Sequence, residues 1–207
     1  MFNAHSFNNH RSKNMEISEI LMQQSVWTWN IMAGSANLGE MIREDAITSV
    51  NLATINQLAL ENQLPLVTTS FQGAHLEGEY GADWMWRYGD RNACLIQAKR
   101  LDVVRSIGVM SYTFNLQQMA ALIDAANVLG TTHNIDAIPY YVLYNSMIPN
   151  MESREKFLGC TCVNAYMLSA FIESSGLRAG QKEKTLSFQT LMSRKELNIG
   201  PWFGMFP

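Results

Sequence analysis

The sequence predicts an α/β domain in which a central mixed β-sheet carries helices on both faces. Two observations support this prediction. Segments with apolar residues at helical intervals come first, and strand-like segments follow them before a further helix, strand and helix. The segment PYYVLYN lacks the alternation of a half-buried strand, which indicates burial on both faces. This order fits a sheet that is covered on both sides.

The first regular element is predicted to be a helix. Residues 1–14 are rich in Asn, His and Ser without periodicity, so we expect a flexible arm, followed by one domain over residues 15–207. From Ile17 to Met32, apolar residues recur at helical spacing, and Gly34 is the predicted end of this helix.

A second helix is predicted from a capping-box pattern, in which Asn37 accepts from the first-turn backbone and Glu40 reaches back. This helix would begin near Leu38 and carry Glu44. It would then continue or restart at Thr48, whose hydroxyl group can cap a further helical segment.

Strand and turn signals follow Pro65, which ends the helical region. LVTTSF has the β-branched content of a strand, and two more strand-like segments flank the turn residues GDRN. A helix from Leu116 to Leu129, with Gly130 as its predicted end, precedes the last strand and helix. The predicted strands span residues 66–71, 82–88, 93–100 and 139–145, and the last helix spans residues 163–175.

Charge and composition limit the classes of function. The net charge is −3 and charged residues make up 16% of the chain, so no global positive field draws the protein to nucleic acid or to an anionic membrane. Any contact with a polyanion must come from a local patch. The best candidate is a group of cations near the C-terminus, with a solvated surface as the alternative. These cations are Arg178, Lys182, Lys184, Arg194 and Lys195.

Cysteine usage and hydropathy indicate a soluble cytoplasmic protein. Cys94, Cys160 and Cys162 are odd in number and match no zinc spacing, so we expect reduced, buried thiols. No stretch reaches the length of about 18 apolar residues that a membrane span needs, and the polar start lacks the apolar core of a signal peptide.

An acid, an amide and an amine stand on two adjacent predicted strands. If a loop of residues 89–91 joins these strands, Asp83 lies opposite Gln97, and Lys99 shares their face. A loop with an even number of residues would instead turn Asp83 away from both. The two tryptophans of the first strand alternate with Asp83 and would pack in the core on the opposite face.

These residue types suit a divalent cation. A carboxylate with a second oxygen donor close by is the least that Mg²⁺ requires. A neighbouring lysine can orient or deprotonate a water molecule, or offset charge on a phosphoryl group. Because Gln97 is neutral, a further carboxylate is needed, and Glu44, Glu77 and Glu79 are the candidates.

The motifs GAD (residues 81–83) and IQAKR (residues 96–100), with an acid on a preceding helix, resemble the PD-(D/E)XK nuclease superfamily. The resemblance is to the Q-x-K variant seen in Mrr-like restriction endonucleases. Further segments are similar to a bacterial family of unknown function that carries this signature, and the resemblance covers about residues 38–207. These segments are E-x-x-x-G-A-D-W from Glu77, QAKRL, PYYVLYN, G-C-T-C-V-N-A and the terminal P-W.

The resemblance implies a restriction-endonuclease-like fold and a role for each residue of the site. Asp83 would bind the metal, Mg²⁺ or Mn²⁺, and Gln97 would stand where the superfamily more often has Glu or Asp. Ala98 would contribute its carbonyl oxygen. Lys99 would be the catalytic lysine and Glu44 the helical acid.

The resemblance also implies DNA as the expected substrate and a function in bacterial defence against foreign DNA. Glu77 would supply a further metal ligand. Arg100, beside Lys99, would contact nucleic acid, and the charge pattern predicts the same for Arg178, Lys182 and Lys184. A homodimer would let two sites address both strands of a duplex.

Two alternatives stay open at this point. The first is a catalytically silent module for nucleic-acid binding or protein interaction, which the neutral Gln97 and the negative net charge favour. The second is a nuclease that stays inactive until a partner or a small ligand activates it.

Overall fold

The computed structural model describes residues 15–72, 76–104, 109–146 and 158–206. The arm predicted over residues 1–14 lies outside these ranges. The α-helices are α1 (Ile17–Asn37), α2 (Glu44–Glu61), α3 (Leu76–Tyr80), α4 (Leu116–His133), α5 (Ala165–Ser174) and α6 (Phe188–Ser193). The strands are β1 (Leu66–Ser70), β2 (Trp84–Tyr88), β3 (Asn92–Arg100), β4 (Asp102–Val104), β5 (Val109–Asn115), β6 (Asp136–Tyr144), β7 (Cys160–Asn164), β8 (Glu183–Ser187) and β9 (Gly200–Pro201). Short 3₁₀ turns span Lys195–Leu197 and Trp202–Gly204.

The central sheet is mixed, as predicted. Strands β1, β2 and β3 form an antiparallel meander, and β6 pairs parallel with β3 after a crossover that contains α4. Strands β7 and β9 extend the sheet beyond β6, which gives the order β1-β2-β3-β6-β7-β9. A second sheet of β4, β5 and β8 follows the end of β3.

Apolar side chains and helices cover both faces of the central sheet. On one face, Trp84 packs in a cluster with Ile20 of α1 and Ile55 of α2. On the other face, Leu95 packs in a cluster with Leu122 of α4 and with residues of α5 and the second sheet. The predicted fold class, a mixed sheet with helices on both faces, is therefore confirmed.

The strand predicted to be buried on both faces is β6. Its residues Tyr141 and Leu143 belong to one core cluster, and Val142 and Tyr144 belong to the other. The three cysteines are also free and buried, as the sequence predicts. Among the helices of the described ranges, none combines the length and apolarity that crossing a bilayer requires.

The first helix begins at Ile17, as predicted, but its end and the start of the second helix lie at other residues than the sequence predicts. Helix α1 continues through Gly34, and the chain turns instead at Gly39, where φ is +81°. Helix α2 begins only at Glu44, so the predicted capping box at Asn37 does not form. A glycine favours the end of a helix only where it takes the left-handed conformation, which Gly34 does not.

Two later helix boundaries also differ from the prediction, each because of an asparagine residue. Helix α4 passes Gly130 and ends at His133, because Asn134 takes the left-handed conformation with φ of 54°. The last predicted helix begins two residues late, at Ala165, because the Asn164 side chain caps it by accepting from two backbone N–H groups. The elements that the sequence patterns did not predict are α3, α6, β4, β5, β7, β8 and β9.

Candidate functional site

The hairpin of β2 and β3 has the register that the sequence predicts for a three-residue loop. Tyr88 pairs with Asn92 and Trp84 pairs with Ile96, so Asp83 lies opposite Gln97. The Asp83 N–H donates to the Ile96 carbonyl oxygen at 2.8 Å, which extends this pairing by one residue. Both tryptophans of β2 are fully buried on the face opposite Asp83, as predicted.

Gly81 lets the segment before Asp83 approach α4. Its φ is +62°, and a Cβ atom there would lie 2.6 Å from the backbone nitrogen of Leu122. A Cβ atom at residue 81 would clash with the backbone of α4, so any larger residue would force this segment and α4 apart. The glycine of the GAD motif thus positions the acid that follows two residues later.

Asp83 is almost completely buried, and one of its oxygens is saturated. Its Oδ2 accepts from the Ala98 N–H at 2.7 Å and from Gln97 Nε2 at 2.8 Å. Gln97 Nε2 also donates to the Ala98 carbonyl oxygen at 3.2 Å. The chemistry of the carboxyl group is therefore left to Oδ1.

Lys99 lies on the same face as Gln97, near the end of β3. Its Nζ donates to Gln118 Oε1 of α4 at 3.4 Å and lies 4.0 Å from Glu44 Oε1. Its side chain is only 16% exposed, which limits the directions in which the amine can point. Gln118 is a site residue that the sequence analysis missed, because only the packing of α4 on the sheet brings it to Lys99.

Glu44 closes the site from the other side of the sheet. As the first residue of α2 it lies at the positive end of the helix dipole. Its Oε2 accepts from the Arg100 N–H at 2.5 Å, which ties the helix to the end of β3. Burial nevertheless raises the pKa of Glu44, although Lys99 and the Arg100 N–H act in the opposite direction.

Burial also raises the pKa of Asp83, to about 7. The hydrogen bond from the Ala98 N–H and the charge of Lys99 lower this pKa, whereas the charges of Glu44 and Glu77 raise it. The effect of Glu77, on α3, shows that its charge reaches Asp83, and its side chain is half-buried. Glu79, one of the other candidate acids, is exposed.

An open cavity of about 500 Å³ adjoins Lys99 and Glu44. Both arginines that line this cavity pair with an acid, since Arg43 contacts Asp45 and Arg100 contacts Asp102. Lys99 differs from these two arginines, because its amine faces Glu44, a carboxylate of the site, whereas Arg43 and Arg100 pair with the more exposed Asp45 and Asp102. The lining residues are Arg43, Glu44, Asp45, Lys99, Arg100, Asp102 and Thr113.

The predicted basic surface is separate from this cavity. Arg178 and Lys184 line another open cavity, which is formed by the segment before β8 and the start of β8. Lys182 belongs to the same segment but does not line this cavity, and its carbonyl oxygen accepts from the Leu116 N–H. Of the cations predicted to contact nucleic acid, only Arg100 lies at the site.

The donors at the site fit a hard divalent cation. No group of three His, Cys, Asp or Glu side chains that could hold a metal ion occurs within the described ranges. The available oxygens are instead Asp83 Oδ1, a Glu44 carboxylate, the Ala98 carbonyl and Gln97 Oε1. Gln97 Oε1 is buried and has no hydrogen-bond partner among the described residues. Such a set suits Mg²⁺, which binds oxygen and keeps several waters.

Comparison with known proteins shows the family to which the chain belongs. Residues 17–206 match the model of a family of unknown function, DUF6615, so the chain is a member of that family. No curated protein matches the chain. Membership of this family assigns no activity to the chain.

Proposed function

We propose that this protein is a metal-dependent nuclease that hydrolyses phosphodiester bonds, with DNA as its substrate. The observation that carries the proposal is the convergence of four residues near the end of β3. Asp83 meets Gln97 there, and Lys99 extends between Glu44 and α4 beside an open cavity. Carboxylates, a further oxygen donor and a lysine are the groups that metal-dependent phosphodiester hydrolysis uses.

The site would hold Mg²⁺ or Mn²⁺ through Asp83 Oδ1, Gln97 Oε1, the Ala98 carbonyl oxygen and a carboxylate from Glu44 or Glu77. When bound, such an ion polarises a phosphoryl oxygen and a water molecule. Both acids must be ionised to act as ligands. Because the pKa of Asp83 is about 7 and that of Glu44 is also raised, we expect affinity for the metal to increase as the pH rises through neutrality.

Lys99 would supply the positive charge beside the reacting phosphate. In hydrolysis the water oxygen forms a bond to phosphorus and releases a proton, the bond from phosphorus to the leaving oxygen breaks, and the leaving oxygen takes up a proton. Gln118 and Glu44 hold the Lys99 amine from two sides, at 3.4 Å and 4.0 Å. This position suits an amine that orients the water and offsets charge on the phosphoryl oxygens.

The wider context of the proposal rests on the resemblance to restriction endonucleases. It includes a function in bacterial defence against foreign DNA and a homodimer with two sites. A cytoplasmic location is proposed instead from the three free cysteines. Arg100 would contact the substrate next to Lys99, and the cations Arg178, Lys182 and Lys184 would contact nucleic acid farther from the site. The mixed sheet and the Q-x-K residues at the end of β3 support this resemblance.

A catalytically silent module is the second candidate, and one specific observation favours it. Near the site, Arg43 and Arg100 are already paired with acids, so few cations are free to hold a polyanion. A nuclease gated by a partner or a small ligand would behave in the same way when it is tested alone.

Cleavage assays separate these candidates. Wild type, Asp83→Ala and Lys99→Met would be incubated with plasmid, linear and single-stranded DNA and with RNA, in Mg²⁺ and separately in Mn²⁺. Arg91→Met is the matched control, because it removes an exposed cation at the opposite end of β3. We expect cleavage by wild type and Arg91→Met alone. Full activity in a folded Asp83→Ala or Lys99→Met protein would refute the proposed site, and intact substrate in every lane would favour the silent or gated module.

A further inference from the structure

Two buried polar atoms beside the site lack hydrogen-bond partners among the described residues. They are Gln97 Oε1 and the hydroxyl oxygen of Tyr141, whose residues are 1% and 0% exposed. Buried polar groups are almost always hydrogen-bonded, so two unpartnered atoms in one place require an explanation. Ordered water is the usual partner of such groups.

The two side chains lie on the same face of the sheet. Gln97 of β3 and Tyr141 of β6 are paired in the parallel ladder, and such partners point to one side. Phe114 packs edge-on against the Tyr141 ring at 5.1 Å, which restricts where the hydroxyl group can go. Burial raises the pKa of Tyr141, and the charge of Asp83 raises it further, so the hydroxyl group is within electrostatic reach of that carboxylate.

The orientation of the Gln97 amide follows from its other neighbours. Nε2 faces two acceptors, Asp83 Oδ2 at 2.8 Å and the Ala98 carbonyl oxygen at 3.2 Å. A reversed amide would place Oε1 against both of these oxygens. The carbonyl end must therefore point away from Asp83 Oδ2, where it needs a donor.

We propose that Tyr141 is a positioning residue, whose hydroxyl group holds Gln97 Oε1 through one buried water molecule. A cation at Oε1 would not by itself satisfy the Tyr141 hydroxyl group, which needs an acceptor for its proton. An amide oxygen has two lone pairs, so the water leaves one of them for a metal ion. The locked amide keeps Nε2 on Asp83 Oδ2 and leaves Oδ1 for the reaction; this consequence rests on the proposed function.

The side-chain amide of Gln97 gives a test that requires no activity. Its proton exchange would be followed by NMR in wild type, Tyr141→Phe and Tyr140→Phe, with the signal assigned by its loss in Gln97→Met. Tyr140 is the matched control because it is the neighbouring tyrosine and packs against the core on the opposite face. We expect Tyr141→Phe to exchange at least tenfold faster, with β3 backbone amides unchanged and Tyr140→Phe like wild type. Unchanged exchange in Tyr141→Phe would overturn the proposal.

A measurement on the wild type covers the case in which Tyr141→Phe does not fold. A long-lived water should give cross-relaxation to the Gln97 amide protons and to the Tyr141 side chain. Absence of this signal, when other buried protons are resolved, would also overturn the proposal.

Activity measurements then connect Tyr141 to the proposed function. We expect Tyr141→Phe to lower the cleavage rate by about tenfold, as loss of a supporting residue typically does, with KM unchanged. Wild-type cleavage in Tyr141→Phe would remove the positioning role. If the wild type itself cleaves nothing, the proposed function fails, and the NMR measurements still decide whether Tyr141 holds Gln97.

Discussion

The buried Asp83 carboxyl group should make the protein less stable as the pH rises. Its pKa is about 7 in the folded chain, against 3.8 as the ordinary value. Below about pH 4 the group is protonated in both the folded and the unfolded states, so its ionisation does not lower the free energy of unfolding. Between these values the unfolded chain releases the proton while the folded chain keeps it, so stability falls as the pH rises. Above pH 7 the full cost remains, and a pKa difference of this size corresponds to about 4 kcal/mol.

Asp83→Asn tests this cost, because an amide has nearly the same shape as the carboxyl group and does not ionise. The Asn oxygen can still accept from the Ala98 N–H, which lies 2.7 Å from Asp83 Oδ2. The free energy of unfolding would be measured by urea denaturation between pH 5 and pH 8, without divalent cations. Relative to wild type, Asp83→Asn should gain about 2 to 3 kcal/mol across this range.

The control is Asp136→Asn, which removes an exposed carboxyl group at the start of β6. It measures the effect of an Asp-to-Asn change without burial. Glu44, whose pKa is also raised, contributes with the same sign in all three proteins. A difference between Asp83→Asn and wild type that stays flat with pH, or that falls, would refute the reasoning, because Asp83 would then be a stabilised anion.

Three further outcomes are expected, two from the packing around the site and one from the separate basic surface. Gly81→Ala should lower the free energy of unfolding by about 1 to 3 kcal/mol, because its Cβ would overpack against α4. The loss should exceed that of Gly89→Ala, whose φ is also positive but whose Cβ would meet no atom within 4 Å. Equal losses in urea denaturation would contradict this prediction. Thr48→Val should cost about 1 to 3 kcal/mol, because it leaves the buried Tyr144 hydroxyl group, now 2.9 Å from the Thr48 hydroxyl, without its partner. Thermal denaturation with Tm unchanged would show that this bond is not needed. Lys184→Met should weaken DNA binding at every sequence and lower the slope of log affinity against log salt by about 1, as measured by fluorescence anisotropy; an unchanged slope would remove Lys184 from the binding surface.

The central hairpin of the site could be predicted from the sequence because its geometry is local. A three-residue loop between two strands determines which residues face each other, and alternation then puts Asp83 and Gln97 on one face. The same alternation correctly assigns Trp84 and Trp86 to the opposite core. Lys99 follows from its position two residues after Gln97.

Other parts of the site depend on packing between distant segments. Gln118 lies on a helix that is regular throughout, and its contact with Lys99 arises only when α4 packs on the sheet. Tyr141 lies in a uniformly apolar strand, where its sequence context is typical of a core residue. Strand β5 did carry a signal, since buried Tyr112 and Phe114 alternate with more exposed polar residues.

Helix boundaries could not be predicted from individual glycine and asparagine residues. Gly34 and Gly130 stay helical, whereas Gly39 and Asn134 take the left-handed conformation that turns the chain. Which of these residues adopts a positive φ depends on where the next element must pack, and a local pattern contains no such information.

We expect Asp83 and its neighbours to bind one divalent cation. Calorimetric titration of Mn²⁺ into wild type and Asp83→Asn at pH 7.5 measures this binding. Wild type should bind one Mn²⁺ per chain, and Asp83→Asn should bind it at least tenfold more weakly. Equal binding by the two proteins, or none by either, would show that these residues do not form a metal site.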